Sequence, residues 1–246
     1  MSGHSKWATI KHKKAITDAK RSHLFSKFSK IIALAAKNDP NPETNSKLKS
    51  AIEKARSVNM PNSSVERAIK KASEKDAAQL IGVQFEILGP GQIAIVVGAI
   101  TDNSNRTLGE IRQILIKNNA KLAEPGAVVW MFEKFGVIKT APLTDPENKR
   151  QNLVAEDMEL EIIEAGAQDI KKEGDTLVIY TKPEFIEQVK SIIQAMELPI
   201  EYAEVEMVPK TSVVIDKPET KANLTKLFEA LDDHEEVEFI YSNAIL

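Results

Sequence analysis

Eight lysines and arginines fall within the first 30 residues, Lys6, Lys11, Lys13, Lys14, Lys20, Arg21, Lys27 and Lys30, against a single acid, Asp18. Cations spaced a few residues apart have one elementary chemistry to offer, the neutralisation of successive phosphates on a polyanion. Trp7 and Phe25 lie among them. Aromatic rings between cations suit stacking on unpaired bases, although the helical phase of Phe25 also places it at the edge of an apolar stripe.

Covalent or metal chemistry finds no comparable set. The four histidines are His4, His12, His23 and His234, three of them inside the basic segment, and there is no cysteine. Neither an HExxH pair nor a G-x-S-x-G elbow occurs, and zinc-ligand spacing is absent. Gly89-Pro90-Gly91 lacks the following helix and lysine of a phosphate-binding loop and reads as a hairpin turn. The run Asp232-Asp233-His234-Glu235-Glu236 offers carboxylates for Mg²⁺, but adjacent acids on a loop are more often a solvated face. A Mg²⁺-dependent nuclease is therefore the lowest-ranked reading. The expectation is a non-enzymatic protein with no cofactor, no metal site and no small-molecule substrate.

The formal net charge of −3 averages over two regions of opposite sign. Residues 1 to 75 hold 17 basic and 6 acidic side chains, a net of +11, whereas residues 76 to 246 hold 16 and 30, a net of −14. Such a split predicts a nucleic-acid-facing end on a body that phosphate repels. The 246 residues, 42% of them hydrophobic, suffice for two or three cores. The longest apolar run, Ile93 to Ile100, falls far short of the roughly 18 residues a membrane span needs. No apolar h-region follows Lys6 and Trp7, and a cytoplasmic protein without a membrane partner is expected.

The elements that must carry these side chains are legible from periodicity. Leu24, Phe28, Ile31, Ile32 and Ala35 form one helical stripe, with Lys20, Lys27, Lys30 and Lys37 beside or opposite it, so that one side packs and the other meets solvent or phosphate. Asn38-Asp39-Pro40-Asn41-Pro42 breaks the chain. A second helix, from Glu43 or Thr44, buries Leu48, Ala51, Ile52, Ala55 and Val58. Ser63 with Glu66 predicts a capping box for a third, which buries Val65, Ala68, Ile69 and Ala72. A three-helix domain over residues 1–75 follows.

Beyond it, Val83 to Leu88 and Ile93 to Ile100 read as a hairpin, and Thr101 to Thr107 as a polar turn into a helix burying Leu108, Ile111 and Leu115. Ala127 to Phe132 reads as a strand, with Glu133 to Gly136 turning into Val137 to Thr140. The order that continues from Val137 is βαββαβ: a helix over Leu153 to Ala165, strands at Ala167 to Lys172 and Thr176 to Tyr180, a helix over Pro183 to Met196 and a strand at Tyr202 to Val208. That is the split βαβ pattern of a ferredoxin-like domain, assigned to residues 137–209. Residues 210–246, with strands at Ser212 to Ile215 and Val237 to Tyr241 around a helix, are too few for a domain. They complete a discontinuous middle domain with residues 76–136, a serial arrangement being the alternative. The fold class is α+β multidomain: an N-terminal three-helix domain followed by two α+β (ferredoxin-like) domains.

The segments GHSKWATIKHKKAITDAKR, NMPNSSVERAIKKA, TDNSNRT, GAVVWMFEKFGVI and AEVEMVPKT closely resemble the YebC family, which includes the mitochondrial translational activator of cytochrome oxidase subunit I. The resemblance spans essentially the full length. It implies three domains and a cytoplasmic, non-enzymatic role in gene expression, as a DNA-binding transcriptional regulator or, alternatively, as a ribosome-associated, rRNA-binding factor assisting synthesis of proline-rich stretches. By position in the matching motifs, it implies Lys6, Trp7, Lys11, His12, Lys13, Lys14, Lys20 and Arg21 as the nucleic-acid face, and Asn105 with Arg106 as a second polar site. The residue chemistry by itself leaves DNA and RNA open.

Overall fold

The computed structural model describes residues 18–72, 80–142 and 156–246. They fall into two compact units, one of Phe132–Lys210 and one of the described residues up to Met131 together with Thr211–Leu246.

The larger unit begins with α1 (Asp18–Ala36), α2 (Ser46–Ser57) and α3 (Asn62–Lys71). Their stripes meet in one core, in which Ile32 and Ala36 of α1 pack with Leu48, Ala51, Ile52 and Ala55 of α2 and Val65 and Ala68 of α3. The α1–α2 connection is held by Asn45. Its Oδ1 accepts from Leu48 N at 3.1 Å and its Nδ2 donates to Ala35 O at 2.8 Å and Asp39 O at 2.7 Å. Thr44 is tied to Asp39 Oδ2 instead, which moves the start of α2 from the expected Glu43 or Thr44 to Ser46. The expected Ser63/Glu66 capping box does not form. Helix α3 starts one residue earlier, at Asn62, because the Pro61 carbonyl already accepts from Ser64 N and Val65 N.

A four-stranded antiparallel sheet of order β3-β1-β2-β9 follows, from β1 (Ile81–Gly89), β2 (Ile93–Thr101), β3 (Lys121–Leu122) and β9 (Val237–Ser242). Helices α4 (Ser104–Lys117) and α7 (Pro218–Asp232) cover one face, where Ile95, Val97, Ile111, Leu115, Leu227 and Phe228 pack together. All nine residues of β2 are buried, as expected of a central strand covered on both sides. Gly98 sits where the Phe239 ring crosses β2, and a Cβ there would overlap that ring. Strands β8 (Val213–Val214) and β10 (Ala244–Ile245) form a parallel pair beside it.

The second unit is a single antiparallel sheet of order β5-β6-β4-β7, built from β4 (Phe132–Thr140), β5 (Ala167–Glu173), β6 (Thr176–Thr181) and β7 (Ile200–Pro209). Helices α5 (Glu156–Glu164) and α6 (Ile186–Ala195) supply Ile162, Val189 and Ile193 to its core. This is the ferredoxin-like strand order. Its first and last strands are neighbours, with Phe132 opposite Pro209.

The expected strand at Ala127 to Phe132 and turn at Glu133 to Gly136 are corrected here. Val129–Met131 is a 3₁₀ turn, and Phe132–Thr140 runs as one strand. The buried Glu86 carboxylate accepts the N–H groups of Gly126 (2.6 Å), Val128 (2.6 Å) and Val129 (2.8 Å), which a strand would have needed for its ladder. Gly136 lies mid-strand because its missing Cβ makes room for Thr181 and Ile186.

Burial opposes ionisation of Glu86, but the three N–H donors outweigh it and hold the carboxyl below its ordinary value. Its stabilising contribution is thus present above the ordinary glutamate range and lost as pH falls through the depressed value. Glu86→Gln should cost about 1.5–3 kcal/mol at neutral pH in urea unfolding, with the gap to the parent narrowing below about pH 4. Gly98→Ala should cost about 1–3 kcal/mol in the same measurement, through displacement of the Phe239 ring.

Candidate nucleic-acid interface

Helix α1 has two working faces. Its apolar stripe packs on α2 and α3. On the opposite side His23, Lys27 and Lys30 recur at i, i+4 and i+7 and meet the acidic run that ends α7 and leads into β9. Lys27, only 8% exposed, donates to the Asp232 backbone carbonyl at 3.1 Å and lies 3.4 Å from its Oδ1. It therefore caps the C-terminus of α7 with a positive charge. Lys30 Nζ is 3.4 Å from Glu236 Oε1, and His23 Nδ1 is 3.9 Å from Glu235.

Glu236 is the centre of this contact. Its Oε1 also accepts from Arg106 Nη2 at 2.6 Å, and its Oε2 from the Thr107 hydroxyl at 2.5 Å. The Thr101 and Thr107 hydroxyls are 2.8 Å apart, and Thr101 Oγ1 in turn accepts from Asn103 N. Burial works against the Glu236 charge, but the hydrogen bonds from Thr107 and Arg106, the nearby Lys30 and Thr101 reverse its effect, and the carboxyl stays below its ordinary value. Arg106 also bonds Asp102 at 2.6 Å. Asp102 first and Glu236 second push the guanidinium above its ordinary value. His234 Nδ1 accepts from Glu236 N at 3.2 Å, which leaves Nε2–H to donate to Glu110 at 3.0 Å.

The residues singled out in the sequence thus separate into groups. Lys6, Trp7, Lys11, His12, Lys13 and Lys14 lie outside the described residues. Lys20 falls in the first turn of α1, and Arg21 follows it on an exposed position. Lys27 and Lys30 are turned toward the acidic run, not toward solvent. Arg106 belongs to the same ionic contact, while Asn105 is exposed in the first turn of α4 beside the Asn103 cap.

Of the acidic run read as a solvated face, Asp233 and Glu235 are exposed, whereas Asp232 and Glu236 form the dock for α1. Asp232 and Glu236 face Lys27 and Lys30 of that helix and Glu235 lies near His23, and among the described residues no group of three or more metal-capable side chains is assembled. Thr107 reads from sequence only as part of a polar turn and Asp232 only as part of an acidic run, which misses their place in this contact. The available signal was a polar stripe, His23, Lys27 and Lys30, on the wrong side of α1 for its own core, matched by an acidic run elsewhere.

Cations that face outward are found on α2 and α3. Lys47, Lys49, Arg56, Arg67 and Lys71 are exposed, and none is ion-paired among the described residues. Arg67 and Lys71, one turn apart, project away from the buried Val65 and Ala68.

Residues 5–75 match the model of the TACO1/YebC protein N-terminal domain, and residues 80–244 that of the TACO1/YebC second and third domain. The chain is 43% identical over 245 residues to a protein of Natranaerobius thermophilus, covering 99% of this chain and 96% of that one. It is 44% identical over 248 residues to one of Moorella thermoacetica, covering 99% and 95%. Both relatives carry the name "probable transcriptional regulatory protein". The crystal structure of a conserved hypothetical protein from Aquifex aeolicus is similar across 97% of this chain and 96% of that one, with a TM-score of 0.81 and 37% identity.

Truncating a paired, largely buried cation strands its partner. Lys27→Ala should lower the unfolding free energy by about 1–3 kcal/mol in urea titration, whereas Lys47→Ala, at an unpaired surface site, should stay within about 0.5 kcal/mol of the parent.

Proposed function

Because the chain belongs to the TACO1/YebC family, we propose that it is a non-enzymatic, cytoplasmic, DNA-binding regulator of transcription whose phosphate contacts come from its basic N-terminal region. The observation that carries this reading is the segregation of charge, +11 over residues 1–75 against −14 over the remainder. The name borne by the relatives supports regulation, and among the described residues no helix is long and apolar enough to cross a membrane.

Lys6, Lys11, Lys13, Lys14, Lys20 and Arg21 are the proposed phosphate ligands of the arm, with His12 as a hydrogen-bond donor; Trp7 would stack only where a base is unpaired. Lys27, Lys30 and Arg106 drop out, since each is engaged with the body. Few Asn or Gln side chains accompany these cations, so affinity arises from the backbone of the duplex and base readout is weak.

Fluorescence anisotropy of the full chain with a short duplex tests this. If about five phosphates are neutralised, log K should fall against log salt with a slope near −4 to −5. A salt-insensitive, sharply sequence-selective complex would contradict the reading, and preference for structured RNA over duplex would move the protein from transcription to translation.

A further inference from the structure

We propose that the exposed cations of α2 (Lys49 and Arg56) and of α3 (Arg67 and Lys71) seat the phosphodiester backbone of duplex DNA, and that α1 is the spacer presenting them. This rests on the DNA-binding reading above and names the surface that the arm alone does not supply.

Beyond its first turns, which carry Lys20 and Arg21, helix α1 has no broad face left for phosphate. Phe28, Ile32 and Ala36 are committed to α2 and α3. His23, Lys27 and Lys30, half a turn round, are committed to Glu235, Asp232 and Glu236. The helix is therefore sandwiched, with the acidic run on one side and α2 and α3 on the other. A polyanion approaching the α1 stripe would have to displace carboxylates from a largely buried lysine, whereas one approaching α2 and α3 meets solvated cations without an ion-pair partner among the described residues.

The spacing suits a sugar-phosphate strand. Arg67 and Lys71 lie about 6 Å apart along the helix axis, and Lys49 and Arg56 lie two turns apart on one flank of α2. Glu53 and Glu66 also stand exposed on these helices, so the face is a row of cations with acids at intervals rather than a uniform field. Such a row neutralises a few discrete phosphates and reads no bases. Two carboxylates of the acidic run, Asp232 and Glu236, are paired with Lys27 and Lys30 of α1.

The test compares the parent with R67E/K71E, K49E/R56E and the arm variant K13E/K14E as full chains, by anisotropy with a short DNA duplex over a salt series. Each face variant is expected to weaken binding about tenfold or more and to make the salt slope less negative by about two. The glutamine versions should move both in the same direction by less, and thermal melting by circular dichroism should match the parent, because all four positions are exposed. If the face variants keep the parent's affinity and slope while K13E/K14E loses both, the face is refuted and the DNA-binding reading stands. If the parent itself fails to bind duplex at low salt, that reading falls and takes the face with it. Parent binding to a folded RNA of equal length but not to duplex overturns DNA as the occupant.

Discussion

The contact on which the larger unit turns is the pairing of three α1 side chains, His23, Lys27 and Lys30, with the acidic run between α7 and β9. It joins residues more than 200 positions apart. It adds to the direct packing of α1 against β2 and β9. With it, the bundle and the sheet form one compact unit. Its strength comes from geometry rather than from charge number. Lys27 reaches a backbone carbonyl at a helix C-terminus, and Glu236 is gripped from Arg106, Thr107 and Lys30 together, so neither buried charge is left to water it cannot reach.

This contact also explains what TDNSNRT does in the folded chain. Asn103 caps α4, Thr101 and Thr107 form a hydroxyl pair, and Arg106 spans Asp102 and Glu236. Exposed polar motifs invite a functional reading, and Arg106 had received one. Here only Thr101 and Thr107 are buried, and with Arg106 they fix the end of β2 against the start of β9, where Ile100 N also donates to the Glu236 carbonyl.

Much of the architecture was legible in advance. The stripes of α2 and α3, the β1–β2 hairpin around Pro90–Gln92, and the βαββαβ order all follow from local periodicity and turn chemistry. Local signals failed where a distant group overrode them. Gly126 to Val129 looks like a strand until a carboxylate from β1 takes its N–H groups, and Gly136 looks like a turn until Ile186 fills the space beside it. At the candidate site the cations were counted correctly as to type and position. Which of them face solvent could not be read from α1, because both faces of an amphipathic helix can be buried when the polar one finds acids to match.

The adjacency of β4 and β7 has an architectural meaning of its own. With Phe132 opposite Pro209, the chain leaves the larger unit and comes back to it through two points side by side. Once folded, some eighty residues of ferredoxin-like fold act on the host sheet as a tight loop would, because the pairing of β4 with β7 holds their two ends together. Joined in this manner, the folded guest spares the pairing of β2 with β9 the closure entropy of a flexible loop of that length.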